Sequence, residues 1–339
     1  MDAVERRRTT VLYVVGSSRT GSGIMARVLN TIEGSIYAGE LRRLYSRGLR
    51  QGRTCACGRA HAACPVWSKL LVPGATYLEP SLGELRRIQN RAAPDHRSWA
   101  VALRHLRRRS PPAPGTPSAR YLSAYSDLHR AFAEVTDSTI VINSSKSPAE
   151  AALLRFARDL SVYCVQMVRD PRGVALSFQN HAKRTTGVAA HLMAVRASLL
   201  WVTKHALAEV VRRTYGPHRS FLVRYERFTE DPRSTVEDVA RMLGEPPPAL
   251  PLSSGIAITV PEAHGPDGSR WLRFVGTEVT VKFDDRWRSE LGRVDRFLVT
   301  LVTAPLLVRY GYPIRTRQHR SRGPETSAGQ DGPSDVVNP

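Results

Sequence analysis

VLYVVGSSRTGSG, residues 11–23, decides the reading of this chain. Val11 to Val15 is an apolar, β-branched run that stops at Gly16, the pattern of a buried strand. Ile24, Val28, Leu29 and Ile32 then recur at helical spacing. Gly16, Ser17, Ser18, Arg19, Thr20, Gly21, Ser22 and Gly23 therefore lie between the end of a strand and the start of a helix. Glycines at such a turn let backbone N–H groups approach a ligand, the helix start adds positive potential, and Arg19 adds a full charge, so the loop reads as an anion cradle. No Gly-Lys-[Ser/Thr] occurs in it, which excludes a Walker A loop and disfavours ATP hydrolysis by that machinery.

Strand–helix alternation continues outward. Thr139 to Ile142 reads as a second strand, and Pro148 suits the first turn of a helix through Leu153 and Phe156. SVYCVQMV, residues 161–168, is a third strand, with Pro171 opening the next helix. A long helical segment runs from about Val188 to Arg213, SFLVR at 220–224 is a fourth strand, and a helix follows near Arg233 to Leu243. The alternation predicts an α/β fold, a parallel central sheet flanked by helices, with ligands at the carboxyl ends of the strands. The third strand ends in RDPRGVALS, which puts Arg169 at the strand end and Ser177 two helical turns further on. One group at each place can grip a second phosphate. Two anion sites on neighbouring strand–helix loops fit a nucleotide phosphorylated at both ends.

Composition bounds the rest. Lys and Arg number 50 against 30 Asp and Glu in 339 residues, a net charge of +20, and 42% hydrophobic residues can build a core, which excludes a disordered chain. The charge admits nucleic acid, an anionic membrane surface or an anionic small molecule and does not choose among them. No long apolar signal core follows MDAVERRRTT, and the longest apolar run, Phe297 to Val308, falls short of the roughly 20 residues a membrane span needs. A soluble, cytoplasmic protein without a membrane span is expected. SPPAPGTPS, residues 110–118, follows RHLRRR and reads as an exposed loop, and almost nothing beyond Ile314 is apolar. The expected organisation is an N-terminal extension (1–9), one domain (10–314) with a Cys-rich insert near 50–68 and an Arg/Pro-rich insert near 104–120, and a disordered tail (315–339). The chain's 4 cysteines are too few for a disulfide scaffold. Three of them, Cys55, Cys57 and Cys64, cluster with His61, a set that can bind zinc, form a disulfide staple, or remain as free thiols packed by Trp67.

The pair SSRTGSG and RDPRGVALS resembles the two cofactor motifs of sulfotransferases that use 3′-phosphoadenosine 5′-phosphosulfate (PAPS). Ser144-Ser145-Lys146-Ser147-Pro148 is similar to the Lys-[Ser/Thr]-Pro element of glycan sulfotransferases. Arg224-Tyr225-Glu226 with Asp231-Pro232 resembles the family's R-Y-E and D-P segment, and Tyr37-Ala38-Gly39-Glu40-Leu41 resembles the loop carrying a catalytic Glu in bacterial and glycan members. These matches run from residue 11 to about 290 in the family's order.

The resemblance implies a P-loop-like sulfotransferase fold of bacterial type, PAPS as sulfuryl donor, and no metal in the chemistry. By motif position Arg19 neutralises the 5′-phosphosulfate with Ser17, Ser18, Thr20, Gly21, Ser22 and Gly23, and Lys146 stabilises the leaving group. Arg169, Ser177 and Tyr225 belong to the rest of the donor site. His264 to Phe274 resembles the segment that closes over the 3′-phosphate, through Arg270 or Arg273, with Trp271 available to stack on adenine. Glu40 is the expected general base, its proton affinity raised by partial burial; His181 and His191 are the alternatives. Two positions depart from the pattern: Gly23 where the family often has Thr, and Asn143 where bacterial relatives often have Asp. The acceptor, a hydroxyl of a small molecule or carbohydrate-like compound, is expected to meet residues 36–49, 91–120 and the helix after His181. A homodimer is left open, and nucleic acid is not the expected partner. The rival readings are a nucleotide kinase, a basic nucleic-acid-binding protein, and a sulfotransferase fold that has lost catalysis.

Overall fold

A computed structural model describes residues 8–71, 82–94, 98–182, 186–246, 257–259, 261–266, 276–314 and 336–337. In chain order the elements are β1 (Thr9–Gly16), α1 (Ser22–Leu29), β2 (Ser35–Gly39), α2 (Trp67–Leu70), α3 (Leu82–Ala92), α4 (Ser98–Leu106), α5 (Pro117–Val135), β3 (Ile140–Lys146) and α6 (Pro148–Leu154). There follow β4 (Leu160–Val168), α7 (Pro171–His181), α8 (Gly187–Tyr215), β5 (Ser220–Arg224), α9 (Tyr225–Glu230) and α10 (Pro232–Leu243). The last are β6 (Ala257–Thr259), β7 (Glu278–Val281), α11 (Trp287–Glu290), α12 (Arg293–Arg309) and β8 (Val336–Val337).

Five strands form one sheet in the order β2-β3-β1-β4-β5, every pair parallel. Its centre is β1, buried from Val11 to Gly16, which explains the unbroken apolar run. Successive side chains on β1 enter different cores. Val11, Tyr13 and Val15 pack with Phe132, Leu153 and Val211 from α5, α6 and α8, while Leu12 and Val14 pack with Ile24, Val28, Phe228 and Val236 from α1, α9 and α10. Helices thus cover both faces, as the alternation predicts. The chain leaves β1 toward β3 and β2 and later returns across it to β4, so the strand order reverses at the carboxyl end of β1. That crevice is where open parallel sheets bind ligands.

One expectation changes. Tyr37 to Gly39 are not loop but the last residues of β2, a five-residue edge strand too short and too mixed to stand out in the sequence. The Pro-rich stretch is a mostly exposed loop from 110 to 116, as expected, and only its last two residues turn helical. Pro117 fits the first turn of α5, where a missing N–H costs nothing, and Thr116 caps it by accepting a hydrogen bond from Ala119 N–H at 3.3 Å. The apolar run from Phe297 to Val308 lies in α12, which buries Val299, Thr303 and Leu307. Among the described residues no helix is long and apolar enough to cross a membrane.

Candidate active site

Strand register brings the sequence motifs together. Val15 pairs with Lys146, Gly39 with Asn143, and Gly16 with Met167, so the ends of β1, β2, β3 and β4 lie side by side. Both pairings of β3 are irregular here. Between Tyr13–Val15 and Asn143–Lys146 the extra residue is on β3, and between Tyr37–Gly39 and Ile142–Asn143 it is on β2. Such bulges re-aim side chains at the rim of a sheet. Lys146 and Arg19 both take left-handed backbone conformations, at φ 61° and 67°. For residues with a Cβ that conformation is strained by about 1–3 kcal/mol and persists only where the surroundings impose it. The two strained cations are the pair assigned to the reacting group.

The glycine-rich loop has the form of a cradle. Gly21 is the N-cap of α1 at φ 82°, and no side chain caps this helix, whereas α6, α7 and α10 are capped by Ser147, Asp170 and Asp231. Ser17 is buried with its Oγ unpartnered, and Thr20 Oγ1 donates to Ser17 O at 3.0 Å. A Cβ on Gly23 would meet nothing within 4 Å, so the cradle is open there, while one on Gly21 would strike the Tyr225 ring at 2.7 Å. Gly21 is glycine because the loop rests on Tyr225. Ser18 is exposed, Arg19 half-buried and Ser22 buried.

Glu40 directly follows β2 and meets Lys146. Lys146 Nζ donates to Glu40 Oε1 at 2.6 Å and to Ser144 O at 3.1 Å, while Arg43 Nε donates to Glu40 Oε2 at 2.8 Å. The expectation that burial raises the proton affinity of Glu40 is corrected. Burial does push it up, but Lys146 and Arg43 together outweigh that and hold the carboxyl down at about 2. Glu40 is therefore an ionised, weakly basic carboxylate for as long as Lys146 faces it.

Beneath this pair lies a buried network that sequence reasoning missed. Glu150, in the first turn of α6, accepts hydrogen bonds from Arg42 Nη1 (2.5 Å), Tyr13 OH (2.7 Å), Tyr121 OH (2.7 Å) and Gln89 Nε2 (3.2 Å). Arg42 N–H also donates to Ser145 Oγ at 3.1 Å. The turn after Glu40 is thereby tied to the Ser-Ser-Lys segment. Asn143 finishes the link: its Oδ1 accepts from Ser145 N–H (3.0 Å) and Ser145 Oγ (2.6 Å), and its Nδ2 donates to Tyr125 OH (2.8 Å). In place of the family's acidic residue, Asn143 supplies a donor and an acceptor. The one sequence signal for this network was Ser147-Pro148-Ala149-Glu150, a helix start with an acid at its third position.

Arg169 stands at the end of β4, buried. It lies over the Tyr225 ring at 4.3 Å, donates from Nη1 to Arg19 O at 3.4 Å, and forms an ion pair with Asp284 at 3.1 Å. Asp284 is another residue the sequence did not reveal, and it engages the cation assigned to the second phosphate. Ser177 lies half-buried on α7. Tyr225 is buried, and its OH donates to Lys282 O at 3.3 Å and accepts from Asp284 N–H at 3.2 Å, so it braces Gly21, Arg169 and the 282–284 strand exit. The rest of the R-Y-E segment is also bracing: Glu226 accepts from Asp170 N–H at 3.1 Å and from Tyr312 OH at 2.7 Å. Arg270, Trp271 and Arg273 lie outside the described residues. Of the alternative bases, His191 is engaged by Asp295 at 2.5 Å, and His181 is exposed at the end of α7.

The cysteine cluster forms, but with a different histidine. Cys55, Cys57 and Cys64 converge on His264, while His61 packs against Trp67 at 5.9 Å. The partner is 200 residues from Cys64, beyond the reach of local spacing. All of the chain's cysteines are free.

A model of the sulfotransferase family matches residues 12–248. The chain belongs to the sulfotransferase family. No curated protein matches it. Among solved structures it is similar to the sulfotransferase domain of the Synechococcus PCC 7002 olefin synthase, at 19% identity over 91% of this chain and 97% of that one, with a TM-score of 0.46. It is also similar to the sulfotransferase domain of the curacin biosynthetic pathway, at 15% identity, 91% and 99% coverage and a TM-score of 0.45. A sulfotransferase from Alicyclobacillus acidocaldarius matches at 13% identity, 89% and 96% coverage and a TM-score of 0.42.

Proposed function

We propose that this chain transfers a sulfuryl group from PAPS to a hydroxyl of a small-molecule or carbohydrate-like acceptor, by in-line displacement with Glu40 as general base. The observation that carries this reading is the Lys146–Glu40 pair, at 2.6 Å, at the end of strands that also present the uncapped glycine-rich turn.

Sulfuryl transfer asks little covalent chemistry of a protein. It needs the donor held, charge neutralised at the leaving phosphate and a proton removed from the acceptor. The loop 17–23 supplies backbone N–H groups, the unpartnered Ser17 Oγ and Arg19 for the 5′ end, and Arg169 with Ser177 takes the 3′-phosphate. Lys146 then has two partners of opposite role. Facing Glu40 it keeps the base weak; drawn to the bridging oxygen of the donor it stabilises the leaving group and frees Glu40 to accept a proton. The acceptor oxygen forms a bond to sulfur as the bond from sulfur to the bridging oxygen breaks, and the proton passes to Glu40. The products are a sulfate ester and 3′-phosphoadenosine 5′-phosphate (PAP). Donor binding thus switches on the base.

The test is incubation of the purified chain with PAPS and a panel of phenols, aliphatic alcohols and sugars, following PAP release and the mass of each acceptor. Acceptor-dependent PAP release with a matching sulfate ester is expected. PAP release that tracks water alone, or none with any acceptor although PAP binds, contradicts the proposal.

A further inference from the structure

We propose that Cys55, Cys57, Cys64 and His264 form a closed, structural Zn²⁺ site that clamps the 262–266 segment onto the end of β2, beside Glu40. The four ligand atoms lie within 4.8 Å of one another. Cys55 Sγ and Cys64 Sγ are 3.6 Å apart, and His264 Nδ1 is 3.4 Å from Cys64 Sγ and 3.9 Å from Cys55 Sγ. A tetrahedron with Zn–S of about 2.3 Å and Zn–N of about 2.1 Å has S–S edges of roughly 3.8 Å and S–N edges of roughly 3.6 Å. The three separations among Cys55, Cys64 and His264 fall within about 0.3 Å of those edges.

The surroundings suit a metal better than a chance meeting of thiols. Cys55 and Cys64 are fully buried, His264 nearly so and Cys57 half-buried, and four protein ligands leave no open position for a substrate. His264 presents Nδ1 to the sulfurs while its Nε2 faces the Glu262 carboxylate at 3.7 Å, the arrangement in which an outer acid fixes the tautomer of a metal-bound imidazole. Three thiolates and one neutral imidazole on Zn²⁺ carry one net negative charge. Arg27 is buried with Nη1 unpartnered and interacts electrostatically with Cys55, which provides the opposite charge.

The site joins distant parts of the chain at a sensitive place. Trp67 Nε1 donates to His264 O at 2.7 Å, Ala56 N–H to Gly265 O at 2.9 Å, and His264 N–H to Tyr37 O at 3.3 Å. Gly265 presses against Gly39 so closely that a Cβ on Gly265 would sit 2.9 Å from Gly39 Cα. Glu40 is the next residue. The metal would hold two backbones in contact where the general base leaves its strand. This positional role rests on the proposed transfer; the presence of the metal does not.

The test is elemental analysis of the full chain, purified without chelator and with any affinity tag removed. One zinc per chain is expected, released in step with thiol modification by a mercurial reagent. The Cys57→Ser and His264→Ala variants should each lose most of the zinc, and His264→Cys should retain it. Cobalt reconstitution should give the intense visible bands of a tetrahedral thiolate site in the wild type, altered in His264→Cys. Metal-free protein with freely titrating thiols, a Cys55–Cys64 disulfide in the purified chain, or zinc retained in both Cys57→Ser and His264→Ala would overturn the site. Should the zinc be present while PAP fails to bind, the site stands and the transferase reading falls. If chelation strips the zinc from folded protein, kcat should fall at least tenfold while PAP affinity changes less than threefold; an unchanged kcat overturns the positional role.

Discussion

On the proposed mechanism Glu40 and Lys146 regulate each other, and substitutions at either should show it. Glu40→Gln should lower kcat by about 10²–10⁴, the range of general-base catalysis, with PAP affinity changed only a few-fold; steady-state rates and a PAP titration check both. The pH behaviour follows from the ion pair. Since Lys146 and Arg43 hold Glu40 down at about 2, below its unfolded value of about 4.3, the pair contributes stability above that unfolded value. The contribution fades as pH falls from there through about 2. The stability difference between wild type and Glu40→Gln should therefore stay constant above that interval and shrink across it as the pH falls. Lys146→Met should raise the Glu40 pKa, because burial then acts with Arg43 as the remaining counterweight. A Glu40 carbon resonance titrating at the same pH in Lys146→Met as in wild type would contradict the coupling.

At the scale of elements, the proposed chemistry lies on the strand-end loops, and two glycines in one loop should respond in opposite ways. Gly21→Ala forces a Cβ into the Tyr225 ring at 2.7 Å at φ 82° and should destabilise the chain by roughly 1–3 kcal/mol, with loss of PAP binding. Gly23→Thr meets open space and restores the family's hydroxyl. It should leave stability within about 1 kcal/mol and tighten PAP binding, as read by denaturant melts and calorimetry. Elements also show where sequence reading stopped. The strands β1, β3, β4 and β5 were legible because buried parallel strands are continuous apolar runs, and α6 and α7 because proline marks their starts. The edge strand β2 and helix α5 were not. One is a half-apolar run of five residues, and the other begins inside a stretch whose prolines looked like loop.

For the molecule as a whole, the site residues that sequence named are those with a local signature: the glycine loop, Lys146, Arg169, Glu40. The residues it missed, Glu150, Arg42, Asp284 and His264, act through partners far along the chain, as with Arg42 and Glu150 at a separation of 108. Only the fold makes those pairs visible. Their energetic weight is global. Glu150→Gln leaves Arg42 buried without its counter-charge and should cost about 3–5 kcal/mol in unfolding experiments, whereas loss of an exposed pair such as Arg241–Asp238 should fall within about 1 kcal/mol. Part of the net charge of +20 gathers where β1, β3 and β4 end, and on the proposed reading a small ligand with two phosphates should be preferred there over nucleic acid. The central claim is that these ends bind a nucleotide phosphorylated at both the 3′ and 5′ positions. Calorimetric titration with PAP at moderate salt tests it most directly, on wild type, Arg169→Lys and Ser177→Ala, with ATP as control. Micromolar binding by wild type at one site per chain, at least tenfold weaker in both variants and absent with ATP, is the predicted result. Folded wild-type protein that fails to bind PAP, or binds ATP equally well, would contradict the account.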